Sequence, residues 1–105
     1  MSGRRPPTLH DVRAKRREIV QILASHGGTN PRVFGSVARG DAVPESDVDL
    51  IVDFGPGVPS GFDYFGMLFD LQKQLAAILG RPVHVAVITN QSPASERIMR
   101  EAVPL

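Results

Sequence analysis

The sequence predicts an α/β protein in which helices cover one face of a small β-sheet. Segments with apolar residues at helical spacing alternate with short runs rich in β-branched residues, and glycine or proline separates them. The order is helix, strand, strand, helix, strand, helix, without an internal repeat. A length of 105 residues, of which 42% are hydrophobic, is typical of one folded domain.

The first predicted helix follows a polar, proline-containing stretch over residues 1–7, which we expect to be a flexible N-terminus. Thr8 is a candidate N-cap, and Asp11 stands at the third helical position, where a carboxylate suits the helix dipole. One apolar face, interrupted by Arg16, carries Leu9, Val12, Ile19 and Leu23. Gly27-Gly28 ends the helix, so the predicted single domain spans residues 8–105.

Two predicted strands come next. Arg32-Val33-Phe34 forms a short strand that ends at Gly35. Residues 47–54 alternate, with one side formed by Val48, Leu50, Val52 and Phe54 and the other by Asp47, Asp49, Ile51 and Asp53. The pattern predicts one core-facing side and one open side that carries the acids.

The second half of the chain predicts a helix, a strand and a last helix. Ser60 is the candidate N-cap of the central helix, with Asp63 at its third position. Its apolar stripe consists of Tyr64, Met67, Leu68, Leu71, Leu75, Ile78 and Leu79. Gly80 and Pro82 separate it from a β-branched strand over Val83–Ile88. Ser92-Pro93 opens a helix that carries Ile98, Met99, Ala102 and Val103.

Composition excludes several classes of protein. The chain has no cysteine, which excludes disulfides and thiolate metal sites. It shows neither a membrane span of about 20 apolar residues nor a signal peptide, so we expect a cytoplasmic protein that does not enter a membrane. A net charge of +1 argues against strong direct nucleic-acid binding.

Positive charge is nevertheless concentrated near the N-terminus, within the first 17 residues: Arg4, Arg5, Arg13, Lys15, Arg16 and Arg17. A solvated helix face explains this cluster. The alternative is a contact surface for RNA or for an acidic partner, although the aromatic residues that stack on bases are missing there.

The segment from Val33 to Gly40 joins a Gly-Ser turn to the end of a strand. Gly35 allows the backbone to approach phosphates closely. Ser36 offers them a hydroxyl and a backbone N–H at the start of a short helical turn. Arg39 could add a charge-assisted contact, or it could belong to a structural ion pair.

Asp47 and Asp49 stand two residues apart on a strand, so their side chains lie on one face roughly 6–7 Å apart. A divalent cation relieves the repulsion between two such carboxylates, and Mg²⁺ binds few carboxylates and completes its shell with phosphate oxygens. Loop capping and solvated acids are the alternative explanation for the two residues alone. The combination of Gly35-Ser36 with Asp47 indicates a nucleotide site.

The segment Gly35-Ser36-Val37-Ala38-Arg39-Gly40, followed by Ser46-Asp47-Val48-Asp49-Leu50, resembles the signature of the minimal nucleotidyltransferase (MNT) domain of the DNA polymerase β superfamily. The resemblance covers about residues 8–105 and includes the closing segment 100–105. It implies a small nucleotidyltransferase fold with a mixed sheet of three to four strands.

The resemblance also implies a function. Such domains often act as antitoxins beside a HEPN-family ribonuclease toxin and transfer AMP from ATP to a toxin tyrosine. It assigns Gly35 and Ser36 to the triphosphate of ATP, and Arg39 and Ser46 are further candidate ATP-binding residues. Asp47 and Asp49 become catalytic residues that bind Mg²⁺ or Mn²⁺.

One position departs from the family pattern. The superfamily usually supplies a third carboxylate from the strand after the central helix, where this chain has His84, and residues 71–95 contain no Asp or Glu. Asp53 cannot substitute, because it lies about 13 Å along the strand from Asp49. The imidazole could accept a proton, ligate a softer ion such as Mn²⁺, or merely fill space.

Three functions therefore remain open. The chain is an active adenylyltransferase with His84 as a catalytic residue, an antitoxin that only masks its partner, or a nucleotide-binding accessory subunit whose substrate is contributed in trans.

Overall fold

A computed structural model describes residues 5–56, 59, 61–87 and 92–105. The helices are α1 (Leu9–Ala14), α2 (Arg16–Ser25), α3 (Ser36–Arg39), α4 (Phe62–Leu79) and α5 (Pro93–Glu101). The strands are β1 (Gly28–Phe34), β2 (Val48–Phe54), β3 (Val83–Ala86) and β4 (Val103–Pro104). In this part of the chain, no helix is long and apolar enough to cross a membrane.

The strands form one four-stranded sheet in the order β3-β2-β1-β4. β1 is antiparallel to β2 and to β4, whereas β2 and β3 are parallel. The mixed sheet confirms the predicted fold class. A parallel pair requires a long connection, and α4 supplies it between β2 and β3.

The core lies between the sheet and the helices α2 and α4. Its fully buried side chains alternate along β2 and recur at helical spacing on the helices: Val12, Ile19, Leu23, Val33, Leu50, Val52, Leu71 and Leu75. The predicted apolar stripe of α4 is confirmed, because Leu71 and Leu75 are buried and its other aliphatic members pack around them.

The first predicted helix is two helices. Thr8 and Asp11 form the expected capping box, each accepting a 3.1 Å hydrogen bond from the backbone N–H of the other. The helix then breaks at Lys15, whose φ and ψ are −103° and 15°. The break leaves Arg16 exposed while Val12 and Ile19 both remain buried, which resolves the interruption in the apolar face.

β1 begins four residues earlier than predicted, at Gly28. A Cβ atom at Gly28 would lie 2.8 Å from Cγ1 of Val52, so the close approach to β2 requires glycine there. The pairing with β2 shifts register between Thr29 and Arg32, and Asn30 adopts a φ of 55°. Such a bulge hides the start of a strand from any period-two pattern.

The prediction of an open, acid-bearing side of β2 is wrong at Ile51, which is fully buried. Its register neighbours on the same face are Arg32 of β1 and Ala86 of β3, and the Arg32 side chain is only 11% exposed. α5 joins the edge strand β3 to the opposite edge strand β4, and it packs against β1.

The last elements differ in detail from the prediction. Ser92 caps α5 by accepting a hydrogen bond from Ser95 N–H, and Pro93 is its first residue, as expected. The helix ends at Glu101, and Val103 pairs with Val33 in β4 instead of continuing the helix. The expected N-cap Ser60 and the strand end Ile88 lie outside the described residues.

Candidate active site

The Gly-Ser turn has the geometry that the sequence predicts. Gly35 precedes α3 with φ 77° and ψ −153°, a conformation nearly restricted to glycine. Ser36 is the first residue of this single helical turn, and its carbonyl accepts hydrogen bonds from Gly40 N–H and Asp41 N–H. The turn directs the backbone at the end of β1 toward β2.

Asp49 lies directly beside this turn. In the sheet it is flanked by Phe34 of β1 and His84 of β3, so the three residues form one row across the acid-bearing face. A Cβ atom at Gly35 would lie 2.7 Å from Oδ2 of Asp49. The missing side chain at Gly35 therefore leaves the space that the Asp49 carboxylate occupies.

Burial raises the pKa of Asp49 above its ordinary value. The nearby Asp47 charge raises the same pKa, whereas His84 and Arg39 lower it. Half-burial and a second carboxylate make an environment that favours a cation at Asp49.

His84 contacts Asp47, with its Nε2 atom 3.2 Å from Oδ2 of the carboxylate. The His84 side chain is 65% exposed, and that of Asp47 is 38% exposed. Sequence reasoning placed His84 at the third position of the site, and the structure brings all three residues, Asp47, Asp49 and His84, to the same end of the sheet.

Ser46 contributes to the shape of the loop before Asp47. Its Oγ accepts a 2.9 Å hydrogen bond from Val43 N–H. Its carbonyl, like that of Pro44, accepts a hydrogen bond from Nη1 of Arg81, at 2.9 and 3.0 Å. Nη2 of Arg81 also donates to the carbonyl of Arg5.

Arg81 is thus a supporting residue that the sequence did not reveal. It stands just before β3, and Pro82 next to it accepts a hydrogen bond from Val48 N–H. Its three backbone partners lie 35 to 76 residues away along the chain. Such contacts carry no local sequence pattern.

Arg39 forms ion pairs at the C-terminus of α3. Its Nε lies 3.2 Å from Asp41 Oδ2 and its Nη1 lies 3.4 Å from Glu101 Oε1. Half of the side chain remains exposed, so both interactions exchange with water and are weak. The guanidinium is held near the turn, where its charge lowers the pKa of Asp49.

Asp53 forms its hydrogen bonds with Asn30 and Arg32, outside the candidate site. Its carboxylate accepts hydrogen bonds from both terminal nitrogens of Arg32, at 2.8 and 3.3 Å, and from the Asn30 amide at 3.0 Å. These hydrogen bonds, chiefly the one from Arg32, lower the pKa of Asp53. The structure therefore gives Asp53 a structural role and keeps it apart from Asp47 and Asp49.

The family model described as a nucleotidyltransferase domain matches residues 16–104, which include the turn, both aspartates and His84. The chain belongs to the nucleotidyltransferase domain family.

Two relatives share most of its length. The nucleotidyltransferase is 35% identical over 89 residues to a Methanocaldococcus jannaschii protein named "Putative protein adenylyltransferase MJ0435", with 84% of this chain and 90% of the relative covered. It is 34% identical over 95 residues to "Protein adenylyltransferase MntA" of Thermococcus cleftensis, with 82% of this chain and 91% of the relative covered.

Solved structures agree on the fold. A structure described as a "putative minimal nucleotidyltransferase" superimposes with a TM-score of 0.75 at 36% identity and covers 93% of this chain and 96% of its own. Another, described as "the toxin-antitoxin with AMP-PNP", gives a TM-score of 0.66 at 18% identity and covers 84% of this chain and 69% of its own. At that identity the second likeness concerns the fold alone. The protein is an MNT-type nucleotidyltransferase.

The two aspartates of the nucleotidyltransferase suit a hard divalent cation. They provide carboxylate oxygens on one face, and Asp49 is half-buried beside the charge of Asp47. Within the described residues, no three His, Asp or Glu side chains are arranged as a ready ligand set. Phosphate oxygens would have to complete the coordination, as Mg²⁺ usually requires.

Proposed function

We propose that the protein is an antitoxin that transfers AMP from ATP to a tyrosine of a HEPN-family ribonuclease toxin. The observation that carries this proposal is the contact between the Gly35 turn and Asp49, with Asp47 two residues before it. In this proposal the turn binds phosphate beside the pair of carboxylates. The names of the two relatives support protein adenylylation as the reaction.

In this proposal the triphosphate of ATP lies along the turn, where Ser36 and the N–H groups at the start of α3 contact phosphate oxygens. Asp47 and Asp49 hold Mg²⁺ or Mn²⁺, which neutralises charge on the phosphates when bound. Arg39 adds positive charge, and Ser46 holds the loop that leads into Asp47. We expect the reaction to take place in the cytoplasm.

The transfer forms a bond between the tyrosine oxygen and the α-phosphorus of ATP and breaks the bond from that phosphorus to pyrophosphate. The hydroxyl proton needs an acceptor. In this proposal the imidazole of His84, whose Nε2 lies 3.2 Å from Oδ2 of Asp47, is the group that accepts this proton.

The same contact favours a second candidate function, in which the protein neutralises its toxin by binding alone. Asp47 is engaged by an imidazole where the family usually has a third carboxylate. A cation at Asp47 would therefore lie beside an imidazole instead of a third carboxylate. In this second candidate the fold is retained and catalysis is impaired.

Intact-mass measurement separates the two candidates. The protein is incubated with ATP, Mg²⁺ or Mn²⁺ and a co-expressed HEPN-family partner, and the partner is examined for a gain of one AMP. The active-enzyme proposal predicts transfer by the wild type, loss in Asp47→Ala/Asp49→Ala, and retention in the control Asp63→Ala, whose exposed aspartate lies on α4 away from the site.

The His84→Asp variant completes the design. If the wild type is inert and His84→Asp transfers AMP, the protein is an impaired transferase that acts by binding. If neither transfers AMP and no variant binds ATP with either metal, adenylylation is excluded. Peptide mapping of the modified partner tests whether the acceptor is a tyrosine.

A further inference from the structure

The two aspartates of the candidate site are held by different means. Asp49 lies within β2, where Phe34 of β1 and His84 of β3 flank it in the sheet. Asp47 precedes Val48, the first residue of β2, and so lies outside the strand. The position of the Asp47 carboxylate therefore depends on what holds the loop before β2.

That loop is closed by two hydrogen bonds between its ends. Ser46 N–H donates a 2.9 Å hydrogen bond to the Val43 carbonyl, and Ser46 Oγ accepts one of 2.9 Å from Val43 N–H. These bonds make residues 43–46 a turn, in which Pro44 restricts the backbone further. A turn closed in this way moves as a unit, so whatever fixes the turn also fixes Asp47, which follows it directly.

Arg81 fixes this turn against the connection between α4 and β3. Its Nη1 donates hydrogen bonds to the carbonyls of Pro44 and Ser46, at 3.0 and 2.9 Å. Both hydrogen bonds are partly buried, where water competes less for the carbonyls. The Ser46 carbonyl belongs to the peptide unit that joins Ser46 to Asp47. Because a peptide unit is planar, the hydrogen bond to this carbonyl also orients the backbone N–H of Asp47.

Pro82, which follows Arg81, holds the other side of Asp47. Its carbonyl accepts a 3.1 Å hydrogen bond from Val48 N–H, which belongs to the peptide unit after Asp47. Two residues further along, Nε2 of His84 lies 3.2 Å from Oδ2 of Asp47. The segment 81–84 therefore contacts the peptide unit before Asp47, the peptide unit after it and its carboxylate.

We propose that Arg81 is a positioning residue of the candidate active site, which holds the Asp47 carboxylate beside His84. Arginine suits this role, because the donors of its guanidinium form a rigid planar fork that keeps its charge. Its Nη2 also donates a 3.0 Å hydrogen bond to the carbonyl of Arg5, so the same side chain connects the segment before α1 to the site. The use of Asp47 as a metal ligand rests on the proposed function, whereas its placement beside His84 does not.

NMR of the histidine rings tests this placement without ATP or a metal. The chain has three histidines, at positions 10, 26 and 84. In Arg81→Met the turn is released and Asp47 moves, so we expect the ring signals of His84 to shift toward those seen in Asp47→Asn. The ring of His26 at the end of α2 is the internal control, and its signals should stay at their wild-type positions in a folded variant.

Two control variants separate positioning from a general loss of charge or stability. Arg17→Met removes the same charge from an exposed position on α2. His26→Ala removes the contacts with the Ile22 carbonyl and with Asp70, and so destabilises the protein away from the site. Both variants should leave the signals of His84 unchanged.

Calorimetric titration with ATP and Mn²⁺ tests the consequence for the proposed function. We expect Arg81→Met to raise the dissociation constant by about tenfold, which lies within the usual range of coupling between neighbouring residues. Arg17→Met should leave the constant at its wild-type value. If Arg81 acts through Asp47, Arg81→Met should weaken binding no further in an Asp47→Asn background.

Unchanged His84 signals in folded Arg81→Met overturn the proposal, as does an equal shift of these signals in His26→Ala. Additive losses of affinity in Arg81→Met/Asp47→Asn show that Arg81 acts independently of Asp47, and they overturn it as well. A wild type that binds no ATP with Mn²⁺ refutes the proposed function alone, and the His84 signals then decide the role of Arg81 by themselves.

Discussion

Replacement of Gly35 by alanine tests why the turn beside Asp49 requires glycine. At φ 77° and ψ −153°, a residue with a side chain costs about 1–3 kcal/mol in backbone strain. The new methyl group would also lie 2.7 Å from Asp49 Oδ2, so the carboxylate must move. Gly40 is the matched control, because its φ of 82° is also positive but a Cβ atom there would have nothing within 4 Å.

The two substitutions should therefore differ in how much they lower the free energy of unfolding and in whether they weaken ATP binding. We expect Gly40→Ala to lower the free energy of unfolding by about 1–2 kcal/mol, the cost of the left-handed conformation alone. Gly35→Ala should lower it by about 2–4 kcal/mol, because the displaced carboxylate adds to the strain. Chemical denaturation measures both values. Calorimetric titration with ATP and Mg²⁺ should show at least tenfold weaker binding only for Gly35→Ala.

A double variant isolates the contact with Asp49. In the Asp49→Ala background the new methyl group at residue 35 no longer meets a carboxylate, so Gly35→Ala should cost less free energy than in the wild type. The difference is the coupling energy of the pair. An equal cost in both backgrounds, with unchanged ATP binding by Gly35→Ala, would show that the backbone alone selects glycine and that the turn does not position Asp49.

Two further predictions concern contacts that support the fold. Nδ1 of the His26 ring faces the Ile22 carbonyl, and Nε2 faces the Asp70 carboxylate. Both ring nitrogens can donate hydrogen bonds only when the ring is protonated. These two hydrogen bonds therefore raise the pKa of His26 from 6.5. The stabilisation is fully present below pH 6.5 and is lost as the pH rises through the higher folded-state pKa. Urea titrations should therefore find that His26→Ala costs more free energy at pH 6 than at pH 9, and an equal cost would contradict this account. In the same assay, Arg81→Met should lower the free energy of unfolding by about 1–3 kcal/mol, because carbonyls such as that of Ser46 lose a charged donor. The control is Lys73→Met, which removes an exposed cation on α4 and should change the free energy of unfolding by less than about 0.5 kcal/mol.

The sequence predicted the parts of the site that depend on neighbouring residues. The glycine turn at Gly35, the helical turn at Ser36 and the shared face of Asp47 and Asp49 follow from local conformational preferences and from the two-residue period of a strand. The Thr8 capping box and the buried stripe of α4 were predictable for the same reason. Each of these features is encoded within a few residues.

Features that depend on distant contacts were not predictable in this way. Ile51 looked exposed by strand alternation, but it is fully buried in the row that it forms with Arg32 of β1 and Ala86 of β3. The partners of Arg81 are separated from it by 35 residues or more.

His84 combines a predicted position with a contact that only the structure reveals. Three carboxylates at one end of a sheet would repel one another whenever no cation is bound, so such a site is strained in the absence of its metal. An imidazole at the third position instead places its Nε2 3.2 Å from Oδ2 of Asp47. The site of this protein therefore has one carboxylate fewer to repel the others when no metal is bound. Both proposed functions therefore depend on His84, which accepts the tyrosine proton in an active enzyme and stands in place of a metal-binding carboxylate in an impaired one.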